Sequence, residues 1–344
     1  MNKTISKKNL RQIVLIILFL GFTLLIVTRF TSVSNLVQTL SQGSWPWVLA
    51  GVIIHVIYFI FYAVLYQRGF ATVDINTQTT PLIPVMFATM FINAVVPTAG
   101  VAGNALFINH IVKRNQSGAR GVVGLFLVLL ADLGTMVPFL LFGLFQLQKL
   151  GDLNAYATLS GSAYVIYIAI LVAALVLSAQ RPSLLQSLLG KLRHAVNRIG
   201  SLFKRPDLLD ETWASRNTEE LRLGANSIRK NPKQLTLTLL WAVFLHIVNL
   251  VGLYAFFIAF NQPINLGGLV AGFSLGIVFF VISIIPQGIG AVEGIMALVY
   301  TSLGVPATKA ITIALVFRGV NYWLPVLVGL IAMRKATASP EIAD

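Results

Sequence analysis

The sequence predicts an all-α, polytopic membrane protein. Of its 344 residues, 57% are hydrophobic and 10% are charged, and the mean hydropathy is +0.83. Soluble domains carry about 25% charged residues. A chain this poor in charge is expected to lie in lipid, where helices satisfy the backbone hydrogen bonds that lipid cannot make. Residues 1–344 are interpreted as a single membrane domain of about six full spans and two re-entrant helical hairpins.

The net charge of +14 arises mostly from loops between apolar runs. Basic loops beside spans favour a cytoplasmic location and contact with anionic lipid headgroups. No aromatic-interleaved basic face suggests nucleic-acid binding. The expected partners are therefore membrane lipids, with anionic headgroups at the cytoplasmic face, and the sequence leaves open whether the chain forms an oligomer.

Cysteine is absent from the chain, which excludes disulfides, thiolate nucleophiles and Cys-type metal sites. The histidines are scattered and show no metal-ligand spacing. They are His55, His110, His194 and His246. No metal and no cofactor are expected.

The first half, residues 1–180, is predicted to contain four full spans. Basic residues precede the first span, 13–28, but no cleavage site follows it, so it is interpreted as an uncleaved helix. The second span, 47–66, opens with an aromatic Trp-Pro-Trp anchor. Spans 121–146 and 162–178 complete this half.

Residues 81–112 form an apolar segment that Pro97, Gly100 and Gly103 interrupt. Residues 81–96 would rise about 24 Å as a helix, which is short of a hydrocarbon core about 30 Å thick. The segment could cross fully or return as a hairpin. A full crossing would place loop 181–233, with 11 basic and 5 acidic residues, outside the cell. The positive-inside rule therefore favours the hairpin.

Loop 181–233 is thus expected in the cytoplasm. Apolar residues from Leu185 to Ile199 recur in it at helical spacing, which suits a helix in the membrane interface or a solvated helix packed on the protein. The second half, 234–335, contains span 235–260, a second broken segment at 266–303 and span 306–333.

A cytoplasmic position for Arg334 and Lys335 requires segment 266–303 to enter and leave from outside. Both termini would then be cytoplasmic in a multi-pass protein of the cell membrane. The two hairpins would approach the midplane from opposite faces, as in transporters built from inverted repeats. Aligning Pro97 with Pro286 also places Asn104 on Glu293.

Three charged residues, Asp132, Glu293 and Arg318, are predicted deep within the membrane. Asp132 lies roughly 16 Å along its span from Gly121, and Arg318 roughly 18 Å from Pro306. Ionisable residues at such depth usually serve function. Arg318 is expected to bind a phosphate through its guanidinium fork. Glu293 would pair with it or take a proton or cationic headgroup, and Asp132 would supply a second carboxylate; the alternative is a buried ion pair that only fixes helix packing.

The glycines of the broken segments could present backbone N–H groups to an anion, or could simply allow close packing. The residues concerned are Pro97, Gly100, Gly103, Pro286, Gly288 and Gly290. Asparagines at depth are interpreted as interhelical hydrogen-bonding residues that could line a path. They are Asn93, Asn104, Asn249 and Asn321. His55 and His246 are interpreted as packed polar residues.

The segments IIPQGIGAVEGIMALVY and ALVFRGVNYWLPVLVGLIAM resemble the C-terminal signature of the lysylphosphatidylglycerol synthase transmembrane, or flippase-like, family. In that family a Pro-x-Gly-x-Gly-x-x-Glu hairpin precedes a span with a central Arg. VVPTAGVAGNALFI resembles the first broken motif of the family. The resemblance implies roles for Pro286, Gly288, Gly290, Glu293 and Arg318, and by weaker similarity for Asp132, Pro97, Gly100 and Gly103.

Two departures from the family pattern limit what the resemblance implies. Asn104 stands where many relatives carry an acidic residue, which argues against a paired carboxylate there. Two-part relatives append a soluble aminoacyl-transferase domain, whereas this sequence ends about ten residues after its last span. The chain is therefore not expected to make lysyl-lipid itself.

The leading hypothesis is a lipid translocase that moves an anionic lipid or a polyprenyl-phosphate-linked lipid between leaflets. The alternative is an intramembrane enzyme that modifies or transfers a lipid headgroup, with Glu293 as acid or base. Against the enzyme, the sequence contains no nucleophile–base pair, metal cluster or nucleotide motif. A third hypothesis is a helical membrane partner whose buried charges are structural.

Overall fold

A computed structural model describes residues 38–96, 101–202, 208–283 and 286–338. Within those ranges the chain is all-helical and contains no strand, which confirms the predicted all-α class. The predicted first span, 13–28, lies outside the described residues.

The described helices follow one another through short connections. In chain order they are α1 (Trp45–Thr72), α2 (Thr79–Val95), α3 (Val101–Val112), α4 (Gly118–Leu150), α5 (Ala155–Gln180), α6 (Pro182–Leu202), α7 (Trp213–Lys230), α8 (Pro232–Ala259), α9 (Leu266–Ile282), α10 (Ala291–Ser302), α11 (Ala307–Arg318) and α12 (Leu324–Ala338). A 3-10 turn, Pro286–Gly288, precedes α10, and a π-helical turn, Gly319–Trp323, joins α11 to α12.

Five of the described helical segments are long and apolar enough to cross a membrane. They are α1, α4, α5, α8 and the continuous segment Ala307–Met333. Each coincides with a span predicted from the sequence, and the observed helices extend the first three of these spans at both ends. A polytopic membrane protein is therefore confirmed.

Local signals in the sequence explain where these helices begin and end. Ser117 and Asn154 cap α4 and α5 by accepting hydrogen bonds from backbone N–H groups of the first turn. Gly151 ends α4 in the left-handed conformation, with φ 76°. Pro46 and Pro232 stand in the first turns of α1 and α8, where a missing N–H does no harm.

Each broken segment forms a helical hairpin. In the first, Gly103 of α3 donates its N–H to Asn93 Oδ1 at 3.1 Å, and Thr89 Oγ1 donates to Gly103 O at 3.0 Å. In the second, Gly272 of α9 lies against the ring of Tyr300 on α10. Helices α2 and α9 contain 17 residues each, about 25 Å, which is at the lower limit for crossing a hydrocarbon core about 30 Å thick. That the hairpins are re-entrant stays a prediction. Entry of the hairpins from opposite leaflets stays a prediction.

Close helix contacts hold the hairpins against the spans. Helix α12 packs on α2 so tightly at Gly329 that a Cβ there would lie 2.1 Å from the carbonyl oxygen of Phe87. Helix α1 lies along α8, where Gly51 faces the ring of Phe256. Small residues permit such approaches between membrane helices. The last span is thereby fastened to the first hairpin.

The loop 181–233 contains two helices, α6 and α7, separated by residues outside the described ranges. The predicted amphipathic helix lies within α6. Its Leu185 is buried, whereas Leu188 and Leu192 are 46% and 50% exposed, so α6 both packs on the protein and presents leucines outward. Helix α7 was not predicted; it packs against α4, where Gly224 meets Val123.

Candidate functional site

Glu293 lies in the first turn of α10 and caps that helix. Its Oε2 accepts a hydrogen bond from the Gly290 N–H at 2.7 Å. The helix N-terminus carries a partial positive charge that stabilises the carboxylate. The preceding turn places Gln287, Gly288 and Gly290 at φ values of 57°, 60° and 83°. Glycine adopts this left-handed backbone without strain, which explains the Gly-x-Gly spacing before Glu293.

Arg318 joins the last span to this turn. Its Nε donates to Glu293 Oε1 at 3.0 Å, and its Nη2 donates to the carbonyl oxygen of Gln287 at 3.0 Å. The guanidinium carbon lies 4.4 Å from the centre of the Tyr322 ring. The side chains of Arg318 and Glu293 are 6% and 12% exposed. We call Gln287, Gly290, Glu293, Arg318 and Tyr322 the ion-pair cluster.

The ion-pair cluster is electrically neutral. Buried charges persist only when they are paired and hydrogen-bonded, and here the carboxylate has two donors while the guanidinium has two oxygen acceptors and an aromatic face. Arg318 is committed to Glu293 in this conformation. These bonds use two of its five N–H donors, so an external anion that binds through the same Nε–Nη2 edge takes the place of the Glu293 carboxylate.

Gln287 connects the two hairpins. Its Nε2 donates to the carbonyl oxygen of Asn93, in the last turns of α2, at 3.2 Å. The tip of the second hairpin therefore contacts the first. Sequence analysis missed Gln287, although it is the single polar side chain of the Pro-Gln-Gly-Ile-Gly motif before Glu293.

Asp132 belongs to a different group of polar residues. Its Oδ2 accepts a hydrogen bond from the Tyr62 hydroxyl at 2.9 Å, and its Oδ1 lies 3.8 Å from His246 Nε2. The same His246 nitrogen lies 2.9 Å from the Asp132 carbonyl oxygen and 3.2 Å from Thr135 Oγ1. We call Tyr62, Asp132, Thr135 and His246 the carboxylate–histidine cluster. Within the described ranges, the Asp132 side chain pairs with this cluster and not with Arg318.

A line of amide contacts lies between the two clusters. His55 Nε2 of α1 is 3.2 Å from Asn249 Oδ1 of α8, and Asn321 Nδ2 donates to the same oxygen at 3.1 Å. The interhelical hydrogen bonds predicted for Asn249 and Asn321 are therefore present. Asn249 follows His246 on α8, and Asn321 follows Arg318 on the last span, each after three residues.

The remaining predicted site residues have separate positions. Gly103 and Gly290 direct their N–H groups to Asn93 and Glu293, which favours packing and capping over an anion nest at both. Gly288 is buried, and Pro286 opens the 3-10 turn. Asn104 is exposed on α3. Pro97 and Gly100 lie outside the described residues.

An apolar groove of about 670 Å³ opens between α4, α8 and α9. Its lining includes Phe139, Phe142, Leu250, Val251, Tyr254 and Leu269. Phe139 also contacts the His246 ring, with 5.5 Å between ring centres. The groove thus borders the carboxylate–histidine cluster. Among the side chains that the structure describes, no three His, Asp or Glu residues group as metal ligands would.

Comparison with known proteins gives two findings. Residues 11–329 match the model of a family described as the lysylphosphatidylglycerol synthase TM region. The chain is also 22% identical over 324 residues to a protein named UPF0104 membrane protein PH1989, from Pyrococcus horikoshii; the match covers 93% of this chain and 96% of that protein. Both polar clusters lie within the residues that match the family.

Proposed function

Since the chain belongs to the lysylphosphatidylglycerol synthase TM region family, as the resemblance predicted, we propose that it is a lipid translocase of the cell membrane. Its substrate would be an anionic lipid of the phospholipid or polyprenyl-phosphate type, carried from one leaflet to the other. The observation that carries the proposal is the buried Arg318–Glu293 pair at the contact between the two hairpins.

Arg318 is the group that would bind the lipid headgroup. The guanidinium fork that now contacts Glu293 Oε1 and the Gln287 carbonyl has the geometry that suits two oxygens of a phosphate. A phosphate would replace one anionic partner with another, so Arg318 would stay compensated. Glu293 would keep the Gly290 N–H and the positive end of α10.

The hairpins supply the movement that transport requires. The hydrogen bond from Gln287 to Asn93 joins them, and it is weak enough to break and re-form. If the hairpins enter from opposite leaflets, separating their tips would open the ion-pair cluster toward one side and then the other. Such alternating exposure of a midplane site is how many transporters work.

The apolar groove would hold the hydrocarbon chain of the lipid. Its volume of about 670 Å³ and its apolar lining suit an acyl or prenyl chain. The headgroup would cross through the polar interior while the chain stays in contact with the bilayer. This arrangement keeps the charged headgroup away from the hydrocarbon core of the bilayer.

A reconstituted exchange assay tests the proposal. Vesicles containing the protein and a fluorescently labelled phosphatidylglycerol would be treated with an external quencher, and movement between leaflets measured by the quenched fraction. We expect Glu293→Gln and Arg318→Ala to lose exchange. The control is Lys309→Ala, which removes a cation from the same helix, α11, while leaving the ion-pair cluster intact.

The outcomes separate the hypotheses. Loss of exchange counts only for variants that keep the elution profile of the folded protein. Normal exchange in both variants would assign the pair to helix packing and overturn the proposal. Conversion of the headgroup without exchange between leaflets would support the intramembrane enzyme instead.

A further inference from the structure

Asp132 has a polar environment that lacks a fixed cation. Its recorded side-chain partners are Tyr62 and His246, and its side chain is 22% exposed. Across the ranges that the structure describes, no Lys or Arg forms an ion pair with it, whereas Glu293 has Arg318. A carboxylate at membrane depth costs about 2.5–3.5 kcal/mol by insertion scales. Binding a proton removes that charge.

His246 supplies a second position for the proton. Its Nε2 faces the Asp132 carbonyl oxygen at 2.9 Å, and a carbonyl oxygen only accepts, so Nε2 carries a hydrogen. Thr135 Oγ1 donates its own hydrogen to the Ala131 carbonyl and can accept from the same nitrogen. In the neutral ring, Nδ1 is then the basic nitrogen. With Asp132 as a carboxylate and His246 as a neutral ring, the two would hold one negative charge, and one added proton would make them neutral.

The other titratable groups around Asp132 keep their protons near neutral pH. From α1, Tyr58 and Tyr66 flank Tyr62, and from α5 the Tyr164 hydroxyl donates to the Leu133 carbonyl at 2.8 Å. Tyrosines stay protonated in that range. Helix α9, which also packs on α4, has no titratable side chain.

Two further helices, α3 and α7, contact α4 far from Asp132. They approach α4 at Gly121 and Val123, about 13 Å or more along the axis from Asp132 at these two residues. Their charged residues are therefore remote from the carboxylate.

We propose that the carboxylate–histidine cluster is a proton-binding site and that its proton is coupled to lipid movement. The coupling rests on the function proposed above, whereas the proton site does not. His246 and Asn249 share α8, and Asn249 bonds to Asn321, which follows Arg318 on the last span. A proton that changes the position of His246 therefore acts on the ion-pair cluster through α8, one hydrogen bond and the last span.

The first experiment measures the proton directly. Infrared difference spectra of the purified protein in lipid nanodiscs would be recorded while the pH is lowered from alkaline to acidic. We expect either a carboxyl transition, which Asp132→Asn removes and His246→Gln shifts, or an imidazolium transition, which His246→Gln removes and Asp132→Asn shifts. Tyr62→Phe removes a hydrogen-bond donor to the carboxylate, so it should change the pH at which the transition occurs. The control is Glu211→Gln, which removes an exposed carboxylate.

The second experiment measures coupling in the exchange assay, with a pH difference imposed across the vesicles. Exchange should respond to the gradient in the wild-type protein and lose that response in Asp132→Asn. Absence of any transition that depends on Asp132 or Tyr62 overturns the proton site. If the transition is present but lipid exchange does not respond to the pH gradient, the coupling is overturned. A transition without exchange under any condition leaves the proton site in place and contradicts the proposed function.

Discussion

Glu293 and Asp132 are both carboxylates at membrane depth, but their charges are compensated differently. Glu293 faces a guanidinium and a helix N-terminus, so its cluster is neutral in one fixed arrangement. Asp132 accepts a hydrogen bond from a phenol and lies 3.8 Å from an imidazole nitrogen, and neither group is a fixed cation that neutralises it. The first arrangement changes when another anion replaces a partner. The second changes when a proton binds.

The two clusters also differ in the backbone that positions them. The ion-pair cluster depends on a turn in which Gln287, Gly288 and Gly290 are all left-handed. The carboxylate–histidine cluster lies within regular helices α1, α4 and α8. A turn of this kind can reorganise with small changes in φ and ψ, whereas packed helices move as rigid bodies. We therefore expect conformational change to centre on the ion-pair cluster.

Breaking the Arg318–Glu293 ion pair should have the largest effect on stability. Arg318→Ala leaves Glu293 buried without its cation, and we expect a loss of about 3–5 kcal/mol of stability. The melting temperature of the protein in detergent measures this. The double variant Glu293→Gln/Arg318→Met removes both charges and should recover part of the loss. A double variant as unstable as Arg318→Ala would show that the charges do not compensate each other.

Removing the Tyr62 hydroxyl that donates to Asp132 should have the next largest effect on stability. Tyr62→Phe loses a hydrogen bond to a charged acceptor, and we expect a loss of about 1.5–3 kcal/mol. In an Asp132→Asn background the same substitution breaks a neutral bond and should cost about 0.5–1.5 kcal/mol. Thermal unfolding of the four proteins gives the double-mutant cycle. Equal losses in both backgrounds would mean that Asp132 is already uncharged.

Separating the hairpins should change stability little. Gln287→Gly loses the neutral bond to Asn93, about 0.5–1.5 kcal/mol, but relieves a non-glycine left-handed residue, about 1–2 kcal/mol. Because the chain has no cysteine, Val95→Cys and Phe280→Cys can carry spin labels near the two tips. We expect the distance distribution between the labels to broaden.

Gln262→Gly is the control and should leave the distance distribution unchanged. Among the described residues, the Gln262 side chain donates only within its own loop, to the carbonyl oxygens of Phe260 and Asn261. An unchanged distribution in Gln287→Gly would show that other contacts hold the tips together.

A surface ion pair should have the smallest effect. Arg222 donates twice to Glu219 at 2.8 Å on α7, and both side chains are about half exposed. Hydrogen bonding to Arg222 lowers the pKa of Glu219. The stability that this pair contributes is therefore present above the unfolded-state pKa of Glu, and it is lost as the pH falls through the folded-state pKa of Glu219.

Solvent screens this pair. Glu219→Gln should therefore leave the melting temperature at neutral pH within experimental error of the wild type. A loss as large as that of Arg318→Ala would remove the distinction between buried and exposed pairs.

The spans could be predicted because their cause is local. Segment 121–146 was predicted from its apolar composition, and the helix found is Gly118–Leu150. The helix is longer because Ser117 and Gly151 cap its two ends, and both capping signals can be recognised in the sequence. Helix α7 was missed because it is polar, so hydropathy does not mark it. Its helical state depends on packing against α4 and α5.

The candidate site was predicted only in part. Glu293 and Arg318 were proposed as partners and form an ion pair. Asp132 was grouped with them because the distance along a span predicts depth, but depth does not tell which neighbouring helix a side chain faces. Tyr62 and His246 were not recognised as its partners, since they lie 70 and 114 residues away in the chain.

The sequence by itself determined the all-helical membrane class, the positions of the spans and the two hairpins, and the identity of the charged residues at depth. These depend on hydropathy, glycine and proline, whose effects act over a few neighbouring residues. Only the tertiary structure decided that the charges form two clusters and that Gln287 connects the hairpins. Such partners depend on how helices rotate and approach one another, which packing of the whole chain controls.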